Sequence, residues 1–563
     1  MKLTGAQIVI ECLIEQGVDT VFGYPGGSIL NIYDELYKNE KRIRHILTSH
    51  EQGAAHAADG YARSTGRTGV CFATSGPGAT NLVTGIATAY MDSVPVVFIT
   101  CNVNKDLIGK DGFQEADITG ITMPITKNNY IVRNIDDLAD TVREAFAVAT
   151  TGRPGPVLVD IPKNITAEKA EYKKAKKDEL ELFRKKGLKY GDPDPRKIEE
   201  AVELINKSEK PFILCGGGVI ISKAEKELLA LSRKIKAPVA CTLMGLGGFP
   251  ADDLKFTGMI GMHGTKASNL SASKCDLFIA IGTRFSDRVI GDVKKFAGNA
   301  KILHIDIDKA EIDKNVLSSL SIVGNAKDIL KELNIGTEEK KDDTWLKDMI
   351  SYNKNPASSL TPKDRKDILT PEGILAAVNE IAEEDTIITT DVGQHQMWTG
   401  QYYKFKLPRT FISSGGFGTM GYGLGAAMGC AIGNQDKLVV HISGDGSFRM
   451  NCNELATVEH YDIPTITIIF NNGVLGMVRQ WQKVFYDERY SNTVLDRGPD
   501  FKLLAEAYGI KGYTVCNEAD FRKTFEEASK SGKAAVINCI LHKDSKVVPM
   551  VAPGTDILEF IYC

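Results

Sequence analysis

Two apolar segments in the C-terminal third of the chain end in side chains that suit a hard metal ion. The run 437–443 stops at Gly444-Asp445-Gly446, and the run 462–470 stops at Asn471-Asn472. In a parallel open sheet, ligands bind beyond the carboxyl ends of the strands, so Asp445 and Asn472 are expected to lie side by side. Mg²⁺ takes about six oxygen ligands and commonly shares them with phosphates. The pattern therefore predicts a magnesium–diphosphate site.

The residues around Asp445 fit the same role. Gly444 and Gly446 let the backbone approach phosphates, and the helix that follows adds N–H dipoles. A tight strand–helix turn with a capping Asp is the alternative explanation of Asp-Gly alone. It leaves unexplained why 24 residues separate Gly446 from a doubled Asn on the next strand. That spacing resembles the thiamine-diphosphate motif, in which GDG and NN stand about as far apart.

A second glycine motif just upstream suggests a rival enzyme class. Residues 416–421, GFGTMG, satisfy G-x-G-x-x-G between a strand and a helix, with Asp445 as a distal acid, as in nicotinamide dehydrogenases. That interpretation leaves Asn471-Asn472 and the duplicated N-terminal domain unexplained. In a thiamine enzyme, Met420 of this loop is the bulky apolar residue that bends the cofactor.

Thiamine catalysis also needs one acid. Glu51, within TSHEQGAAHAADGYAR (48–63), stands in a strand-to-helix turn. Taken alone, Glu51 would be an exposed first-turn residue, because Glu favours helix N-termini. Beside the downstream motif it is the candidate that hydrogen-bonds the aminopyrimidine and promotes deprotonation of thiazolium C2. Positioned proton transfer of this kind contributes about 10²–10⁴-fold.

The strands and helices that would position these residues follow an order that occurs twice in the chain. Segments 56–100 and 422–470 each show a small-residue helix, a strand, a Gly-bracketed turn, a second helix, a proline and another strand. Segments 4–27 and 370–393 match too, as a Thr-capped helix and a short strand leading to a Gly loop. Alternating strands and helices predict doubly wound parallel sheets. Two domains of one topology suggest a site built between them.

The fold class expected is α/β, with three consecutive doubly wound domains separated by charged segments. The expected boundaries are an N-terminal thiamine pyrimidine-binding domain (1–166), a charged linker (167–189), a central FAD-binding-like domain (190–335), a second linker (336–367), a thiamine diphosphate- and Mg-binding domain (368–545) and a C-terminal tail (546–563).

Composition excludes several function classes. A chain of 563 residues calls for several cores, and a net charge of −4 gives no reason to expect nucleic acid or an anionic membrane as partner. Thr4 with Gln7 forms a capping box, so the N-terminus is expected to be a folded helix rather than a signal peptide. The 11 cysteines lack C-x-x-C pairs, which is typical of reduced, cytoplasmic proteins.

From end to end the chain resembles the catalytic large subunits of acetohydroxyacid (acetolactate) synthases. The motifs that carry the resemblance are VFGYPGG (21–27), residues 50–63, TSGPGATN (74–81), FQEAD (113–117), GRPGPVLVDIPK (152–163), GMHGTKASN (261–269), DVGQHQMW (391–398) and GMVRQWQ (476–482). It implies decarboxylation of pyruvate and ligation of the hydroxyethyl unit to pyruvate or 2-ketobutyrate, the first common step of valine, leucine and isoleucine biosynthesis. Alternatives are a pyruvate oxidase, a simple decarboxylase, another carboligase or, outside enzymes, a nucleotide-binding regulatory module.

The resemblance implies thiamine diphosphate, Mg²⁺ and FAD as cofactors. It also implies a homodimer or tetramer with active sites at the subunit interface, and a regulatory small subunit. Residues expected at the thiamine site are Tyr24, Pro25, Glu51, Val392, Gly393, Gln394, His395, Gly418, Met420, Gly444, Asp445, Gly446, Ser447, Asn472, Leu475, Gly476 and Met477. The metal ligands expected are Asp445, Asn472 and the main-chain oxygen of Val474.

Substrate and flavin residues follow from the same resemblance. Phe113, Gln114 and Lys127, from the neighbouring subunit, would border the substrate pocket, and Arg288 with Trp481 would receive the second keto acid. Residues expected to hold FAD are Arg153, Gly216, Gly217, Gly218, Met262, His263, Gly264, Thr265, Gly282, Thr283, Arg284, Asp287, Arg288, Asp306, Ile307 and Asn325. Ser286 and Asn325 stand where the family pattern has Asp, and Asn102 replaces a family Gln near the substrate channel.

Overall fold

Three parallel sheets of six strands each form the framework of the protein. A computed structural model describes residues 1–186, 193–298, 300–352 and 368–562. Within them the chain also forms two small antiparallel two-stranded sheets. The sequence prediction of three doubly wound α/β units is confirmed.

The N-terminal unit carries the first sheet. Its strands are β1 (Lys2–Thr4), β2 (Thr20–Gly23), β3 (Arg44–Leu47), β4 (Gly69–Ala73), β5 (Val96–Asn102), β6 (Asn128–Ile131), β7 (Val157–Pro162) and β8 (Lys169–Glu171). Its helices are α1 (Gly5–Glu15), α2 (Leu30–Lys38), α3 (Glu51–Thr65), α4 (Pro77–Thr80), α5 (Val83–Met91), α6 (Ile118–Thr122), α7 (Leu138–Thr150), α8 (Lys163–Ala167) and α9 (Lys177–Lys186).

The central unit carries the second sheet. Its strands are β9 (Pro211–Cys215), β10 (Val239–Cys241), β11 (Phe256–Met259), β12 (Leu277–Ile281), β13 (Lys301–Asp306) and β14 (Leu320–Val323). Its helices are α10 (Pro195–Lys207), α11 (Gly217–Ser222), α12 (Glu225–Ile235), α13 (Lys266–Lys274), α14 (Asp287–Ile290), α15 (Ala326–Gly336) and α16 (Thr344–Ser351).

The C-terminal unit carries the third sheet. Its strands are β15 (Ile387–Thr390), β16 (Phe411–Ser413), β17 (Val439–Gly444), β18 (Thr465–Asn471), β19 (Lys511–Val515), β20 (Ala535–Ile540), β21 (Met550–Val551) and β22 (Phe560–Ile561). Its helices are α17 (Pro371–Ile381), α18 (Gln394–Tyr402), α19 (Gly423–Gly433), α20 (Asp445–Asn451), α21 (Leu455–His460), α22 (Gly476–Phe485), α23 (Phe501–Ala507) and α24 (Glu518–Ser531).

The first and third sheets have the same strand order, and the central sheet has a different one. The first sheet runs β3-β2-β4-β5-β7-β6 and the third runs β16-β15-β17-β18-β20-β19. Counted along the chain within each sheet, both read 2-1-3-4-6-5. The central sheet, β11-β10-β9-β12-β13-β14, reads 3-2-1-4-5-6, the order of dinucleotide-binding folds. The order reverses between β2 and β4, between β9 and β12, and between β15 and β17, which are the crevices where such sheets bind ligands.

Local sequence explains how the repeated units begin. The Thr4 hydroxyl accepts the Gln7 N–H at 3.3 Å while the Gln7 side chain accepts the Thr4 N–H at 3.0 Å, so the predicted capping box is present. Thr370 caps α17 by accepting the Gly373 N–H at 3.0 Å. Strands β5 and β17 are buried almost throughout, because helices cover both faces of a parallel sheet.

Small residues bring the first and third units into close contact. Helix α3 packs on α19 so tightly that a Cβ at Gly60 would lie 2.2 Å from the Ala426 carbonyl oxygen. A Cβ at Gly429 would lie 1.9 Å from the carbonyl oxygen of Ala57. One apolar core therefore runs from α3 into the third sheet.

The charged segments and the tail contain more structure than the sequence predicted. In the expected linker 167–189, β8 pairs with β1, and α9 follows, while residues 187–189 lie outside the described residues. In 336–367, α16 packs with Trp345 donating to the Pro211 carbonyl at 2.9 Å, and residues 353–367 lie outside the described part. Backbone pairing and one partly buried aromatic side chain, Trp345, outweigh the high local charge.

The tail 546–562 closes over the central unit. Val547, Met550 and Val551 are buried. Val551 donates its N–H to the Met262 carbonyl at 2.8 Å, and Asn269 donates to the Ile557 carbonyl at 2.7 Å. No helix in the described residues is long and apolar enough to cross a membrane.

Candidate cofactor and active site

Asp445 lies at the switch point of the third sheet, buried and unsatisfied. It begins α20 at the end of β17, and its side chain is 1% exposed. Among the described residues its Oδ2 has no hydrogen-bond partner. Burial raises the pKa of this carboxyl to about 6, although the charge of Arg449 and, less strongly, the Asn472 main-chain N–H oppose the rise. A buried oxygen without a partner is a site that a cation would satisfy.

Asn472 lies beside Asp445 and is held by its neighbours. Its Nδ2 donates to Gln394 Oε1 at 3.2 Å, and its Oδ1 accepts the Val474 N–H at 3.2 Å. Gln394 is fixed in turn, because its Nε2 donates to Gln480 Oε1 and to the Ser545 carbonyl, both at 2.9 Å. The carboxamide is therefore oriented before any ligand binds.

The rest of the expected diphosphate side gathers around the same edge. Ser447 Oγ donates to the Val392 carbonyl at 3.0 Å, which joins the ends of β15 and β17. Gly444 is required there, because a Cβ would lie 2.9 Å from His395 Nδ1. Burial lowers the pKa of His395 to about 4, so its ring is neutral at pH 7.

The glycine loop 416–421 also borders this edge, from the neighbouring strand β16. Gly418 has φ +69°, and the Met420 methyl lies 4.0 Å from where a Cβ of Gly446 would be. Leu475 closes the other side, 2.8 Å from the same Cβ position. Gly476 begins α22, where a Cβ would lie 1.9 Å from Gln394 Oε1, and Met477 follows it. The crevice itself lies between β15 and β17, rather than at the edge strand β16 from which the rival dinucleotide motif starts.

Asp445 is the one charged side chain among the proposed metal ligands Asp445, Asn472 and Val474. The described residues contain no group of three or more His, Cys, Asp or Glu side chains arranged for a metal. A metal at Asp445 and Asn472 would thus need oxygens from a ligand, which is how Mg²⁺ binds in phosphate sites. The residues present fit a Mg²⁺–diphosphate group.

Glu51 is the first residue of α3 and lies in the first unit, apart from Asp445. Its carboxylate is 8% exposed, and its Oε2 accepts the Asn81 Nδ2–H at 2.9 Å. It is therefore not the exposed first-turn residue that its position alone suggests. Tyr24 and Pro25 follow β2 at the switch point of the same sheet, with Tyr24 exposed.

Gln114 packs against Gly76, close to Glu51, and has a left-handed backbone conformation. Its φ is +60°, and a Cβ at Gly76 would lie 2.9 Å from the Gln114 Cα. Such a conformation costs a non-Gly residue about 1–3 kcal/mol, and strain of this kind clusters at functional sites. Phe113, next to it, is 88% exposed.

Lys127 occupies a different position. Its ammonium donates to the carbonyls of Val148, at 2.6 Å, and Thr151, at the C-terminus of α7. Burial lowers its pKa to about 8. The described contacts of Lys127 Nζ are thus main-chain carbonyls at a helix end, and they do not join it to Gln114.

Arg288 and Trp481 come from different units and meet. The guanidinium carbon of Arg288 lies 5.9 Å from the centroid of the Trp481 ring, and the Arg288 side chain stays 59% exposed. Trp481 also lines a groove of about 680 Å³ with Met477, Val478, Gln482, Tyr486, Arg489 and Ser491. A cation beside an apolar groove suits a ligand with a carboxylate and a short alkyl chain.

Glycines make a cradle at the switch point of the central sheet. A Cβ at Gly216 would lie 2.1 Å from the Gly282 carbonyl oxygen, and one at Gly218 would lie 2.6 Å from the Gly282 Cα. Asp306 ends β13, where burial raises its pKa to about 6, with Ile307 next to it. Close-packed glycines at this crevice fit a dinucleotide, and Gly217 opens α11 behind them.

The remaining residues expected to hold FAD come from several different turns and from the first unit. Arg153 reaches from the first unit to Asp308 at 3.2 Å and Glu311 at 2.7 Å. Asn325 caps α15 by accepting the Lys327 N–H at 2.9 Å, and Arg284 contacts the Met91 sulfur at 3.8 Å. The others lie in three turns: Met262, His263, Gly264 and Thr265 before α13, Thr283 after Gly282, and Asp287 at the start of α14.

Several residues of this region were missed by the sequence analysis. Asn81 lies in a quoted motif and could have been found there. Gln480 lies in the quoted motif 476–482 and could have been found in the same way, whereas Glu454 lies outside every quoted motif and has the pattern of an ordinary helical polar residue. Asn102 is buried and donates to Asp160 Oδ2 at 2.7 Å, so its amide points into the first unit.

Glu51 and Asp445 are not brought together within one chain. Asp445 begins α20, whereas Glu454, beyond the far end of α20, contacts the turn before Glu51. Helix α20, seven residues and about 10 Å long, lies between them.

Family models match all three units. The N-terminal thiamine pyrophosphate (TPP) binding domain matches residues 3–121, the thiamine pyrophosphate enzyme central domain matches 198–333, and the C-terminal TPP binding domain matches 391–539.

Curated relatives are similar over almost the whole chain. A probable acetolactate synthase large subunit of Methanocaldococcus jannaschii is 47% identical, over 98% of this chain and 94% of the relative. An acetolactate synthase large subunit of Cyanidium caldarium is 45% identical, over 98% and 95%. An acetolactate synthase of Mycobacterium bovis is 46% identical, over 98% and 90%.

Proposed function

Because the chain belongs to the acetolactate synthase large-subunit family of thiamine pyrophosphate enzymes, we propose that it joins the two-carbon unit of pyruvate to a second 2-keto acid. The second acid is pyruvate or 2-ketobutyrate, and the reaction opens branched-chain amino-acid biosynthesis. The observation that carries the proposal is Asp445, a buried carboxylate with a partnerless oxygen beside a preoriented Asn472. Pyruvate oxidase and other carboligases, the alternatives that the sequence left open, are not supported by the full-length relatives.

The residues divide the work between binding and proton transfer. When bound, thiamine diphosphate supplies the electron sink that allows pyruvate to lose carbon dioxide. Asp445, Asn472 and the Val474 carbonyl would hold Mg²⁺ and the diphosphate, and Met420 would support the ring system. Glu51 would hold a proton at the pyrimidine N1′ and so promote proton loss at thiazolium C2.

The complete site needs two copies of the chain. Asp445 begins α20 and the turn before Glu51 lies beyond its other end, and no described contact brings the two side chains to one crevice. A dimer in which Glu51 of one copy faces Asp445 of the other would complete both sites at once. Phe113 and Gln114, which lie near Glu51, would then border the substrate in the same shared site.

Arg288 and Trp481 would receive the second keto acid. The guanidinium would bind its carboxylate, and the indole with the adjoining groove would pack its alkyl group. Pyruvate and 2-ketobutyrate differ by one methylene, which a hydrophobic pocket distinguishes by about 1–3 kcal/mol.

FAD would occupy the central unit. The strand order 3-2-1-4-5-6 and the Gly216–Gly218–Gly282 cradle support a dinucleotide there. The ligation transfers no hydride, so the flavin would have a structural role. A flavin absorbance spectrum of the purified protein, with and without added FAD, tests this assignment.

The partner and location of the protein are also proposals. Two of the relatives are named large subunits, which supports a small regulatory partner for this chain. Every cysteine in the described residues is a free thiol, which supports a reducing, cytoplasmic location.

One assay tests the proposed function. The purified chain is incubated with pyruvate, thiamine diphosphate and Mg²⁺, and acetolactate is measured with and without each cofactor. Acetolactate formed without an electron acceptor is the expected result. Oxygen consumption stoichiometric with pyruvate would instead identify an oxidase.

A further inference from the structure

A buried carboxylate of the third unit accepts hydrogen bonds from the main chain of the turn that precedes Glu51. Glu454 is 0% exposed. Its Oε2 accepts the Ser49 N–H at 3.1 Å, and its Oε1 accepts the His50 N–H at 3.0 Å. Its only other described hydrogen bond is local, from the Thr457 hydroxyl at 2.7 Å. Two consecutive main-chain donors of one domain are thus satisfied by a single side chain of another.

The Glu454 carboxylate also packs closely against the first turn of α3. Gly53 lies in the first turn of α3, where a Cβ would lie 2.1 Å from Glu454 Oε1. Only glycine leaves room for the carboxylate at that distance. The carboxylate also lies at the positive end of the 15-residue helix α3, where a negative charge is favourable.

No other described hydrogen bond from the third unit reaches a main-chain N–H so near to Glu51; the next, from the Leu47 N–H to the Tyr461 hydroxyl at 2.9 Å, lies four positions away. Ser49 Oγ donates to the Asn453 carbonyl at 3.0 Å, which reinforces the same junction. Glu51 follows His50 directly, so a shift of this turn moves the Glu51 carboxylate with it. Asn81 fixes the side chain of Glu51, whereas Glu454 fixes the backbone from which it projects.

We infer that Glu454 is a positioning residue for Glu51: it sets the place of the Glu51 carboxylate relative to the cofactor and itself touches neither cofactor nor substrate. The inference rests on the proposed role of Glu51. Its consequence is that α20 connects two active centres, because Asp445 at its start serves one and Glu454 beyond its end adjusts the acid that serves the other.

The test measures hydrogen–deuterium exchange at C2 of enzyme-bound thiamine diphosphate, which reports proton removal without turnover. Glu454→Ala should slow this exchange by about 10–100-fold, because a displacement of about 1 Å costs about 100-fold in positioned chemistry. The dissociation constant for thiamine diphosphate in Mg²⁺ should stay within about threefold of wild type. The kcat should fall with the exchange rate, while KM for pyruvate stays unchanged.

Two further variants make the test decisive. Gly53→Ala forces a Cβ against the carboxylate and should slow C2 exchange as Glu454→Ala does, so it carries the test if Glu454→Ala does not fold. Glu459→Ala is the matched control: it removes an exposed carboxylate from helix α21, which begins directly after Glu454, and should leave C2 exchange unchanged. Amide hydrogen exchange of residues 49–53 in the cofactor-free protein should accelerate in Glu454→Ala and not in Glu459→Ala.

The outcomes separate this inference from the proposed function. Glu51→Gln is measured alongside. If Glu51→Gln slows C2 exchange and Glu454→Ala and Gly53→Ala do not, Glu454 is an interdomain anchor only, and the inference is overturned. If Glu51→Gln leaves C2 exchange unchanged, the assignment of Glu51 fails, and the role of Glu454 fails with it.

Discussion

Replacing Asp445 by Asn should have opposite effects on the cofactor-free and the cofactor-bound protein. The substitution keeps the size of the side chain and removes its charge. Asp445 is 1% exposed, and its Oδ2 has no partner among the described residues. Without a cation, the folded protein therefore keeps a desolvated charge at neutral pH, and the Asn variant does not.

The pKa gives the size and the sign of the effect. Burial raises the pKa of Asp445 from 3.8 to about 6, an interval that corresponds to about 3 kcal/mol. Because the folded pKa is raised, the penalty is absent below about pH 3.8, grows between pH 3.8 and 6, and is fully present above pH 6. We therefore expect Asp445→Asn to stabilise the cofactor-free protein by up to about 3 kcal/mol at pH 8 and by nothing at pH 3.5.

Cofactor binding should reverse the order of stability. A ligand at 100 times its dissociation constant stabilises the protein that binds it by about 2.7 kcal/mol. Wild type should gain this stability from thiamine diphosphate with Mg²⁺, and Asp445→Asn should gain almost none. The variant should thus be the more stable protein without cofactor and an inactive one with it.

Urea unfolding at pH 8 and pH 3.5, with and without thiamine diphosphate and Mg²⁺, measures both effects. Asp436→Asn is the control, because Asp436 is an exposed carboxylate before the other end of β17. An Asn variant that is no more stable than wild type at pH 8 without cofactor would refute the burial argument. An undiminished gain from the cofactor would show that the diphosphate binds elsewhere.

Three further predictions address the other parts of the site. Glu51→Gln should lower turnover by about 10²–10⁴-fold and keep normal cofactor affinity, as measured by cofactor titration and steady-state kinetics; near-normal turnover would remove Glu51 from the chemistry. Trp481→Leu should still form acetolactate from pyruvate but lose much of any bias towards 2-ketobutyrate, within a limit of about 1–3 kcal/mol; an unchanged ratio of acetohydroxybutyrate to acetolactate from mixed substrates would place selectivity elsewhere. Gly218→Ala, whose Cβ would lie 2.6 Å from the Gly282 Cα, should abolish flavin absorbance and leave thiamine diphosphate affinity intact; a fully yellow variant would refute the FAD assignment to this cradle.

Much of the scaffold could be read from local patterns. Thr4 and Thr370 begin helices as expected, because a cap involves residues only three positions apart. The strand ends at Asp445 and Asn472 were predictable too, since an apolar run with a following glycine marks where a buried strand stops. The repeated order of these patterns was enough to predict two sheets of one topology.

Pairings between distant residues were beyond these patterns. The positions of Arg288 and Trp481 depend on how the central and third units pack, and sequence linked them only through a family resemblance. For Lys127 the resemblance implied a place beside the substrate pocket, whereas in the structure its ammonium donates to two main-chain carbonyls at the C-terminus of α7. No nearby sequence feature indicates that contact. The segment 546–563 was predicted only as a C-terminal tail, and no pattern in it indicated that the Val551 N–H would donate to the Met262 carbonyl.

The sequence by itself determined which residues end the strands, which helix carries the acid and that the chain repeats one fold. Only the tertiary structure decided that Glu51 and Asp445 of one chain lie near opposite ends of α20, and that Glu454 holds the turn that precedes Glu51. The physical reason is range: caps, turns and strand ends are fixed by neighbours along the chain, whereas the meeting of two sites depends on how whole helices pack. The close packing of α3 on α19, which Gly60 and Gly429 permit, fixes the position of α3 against the third unit.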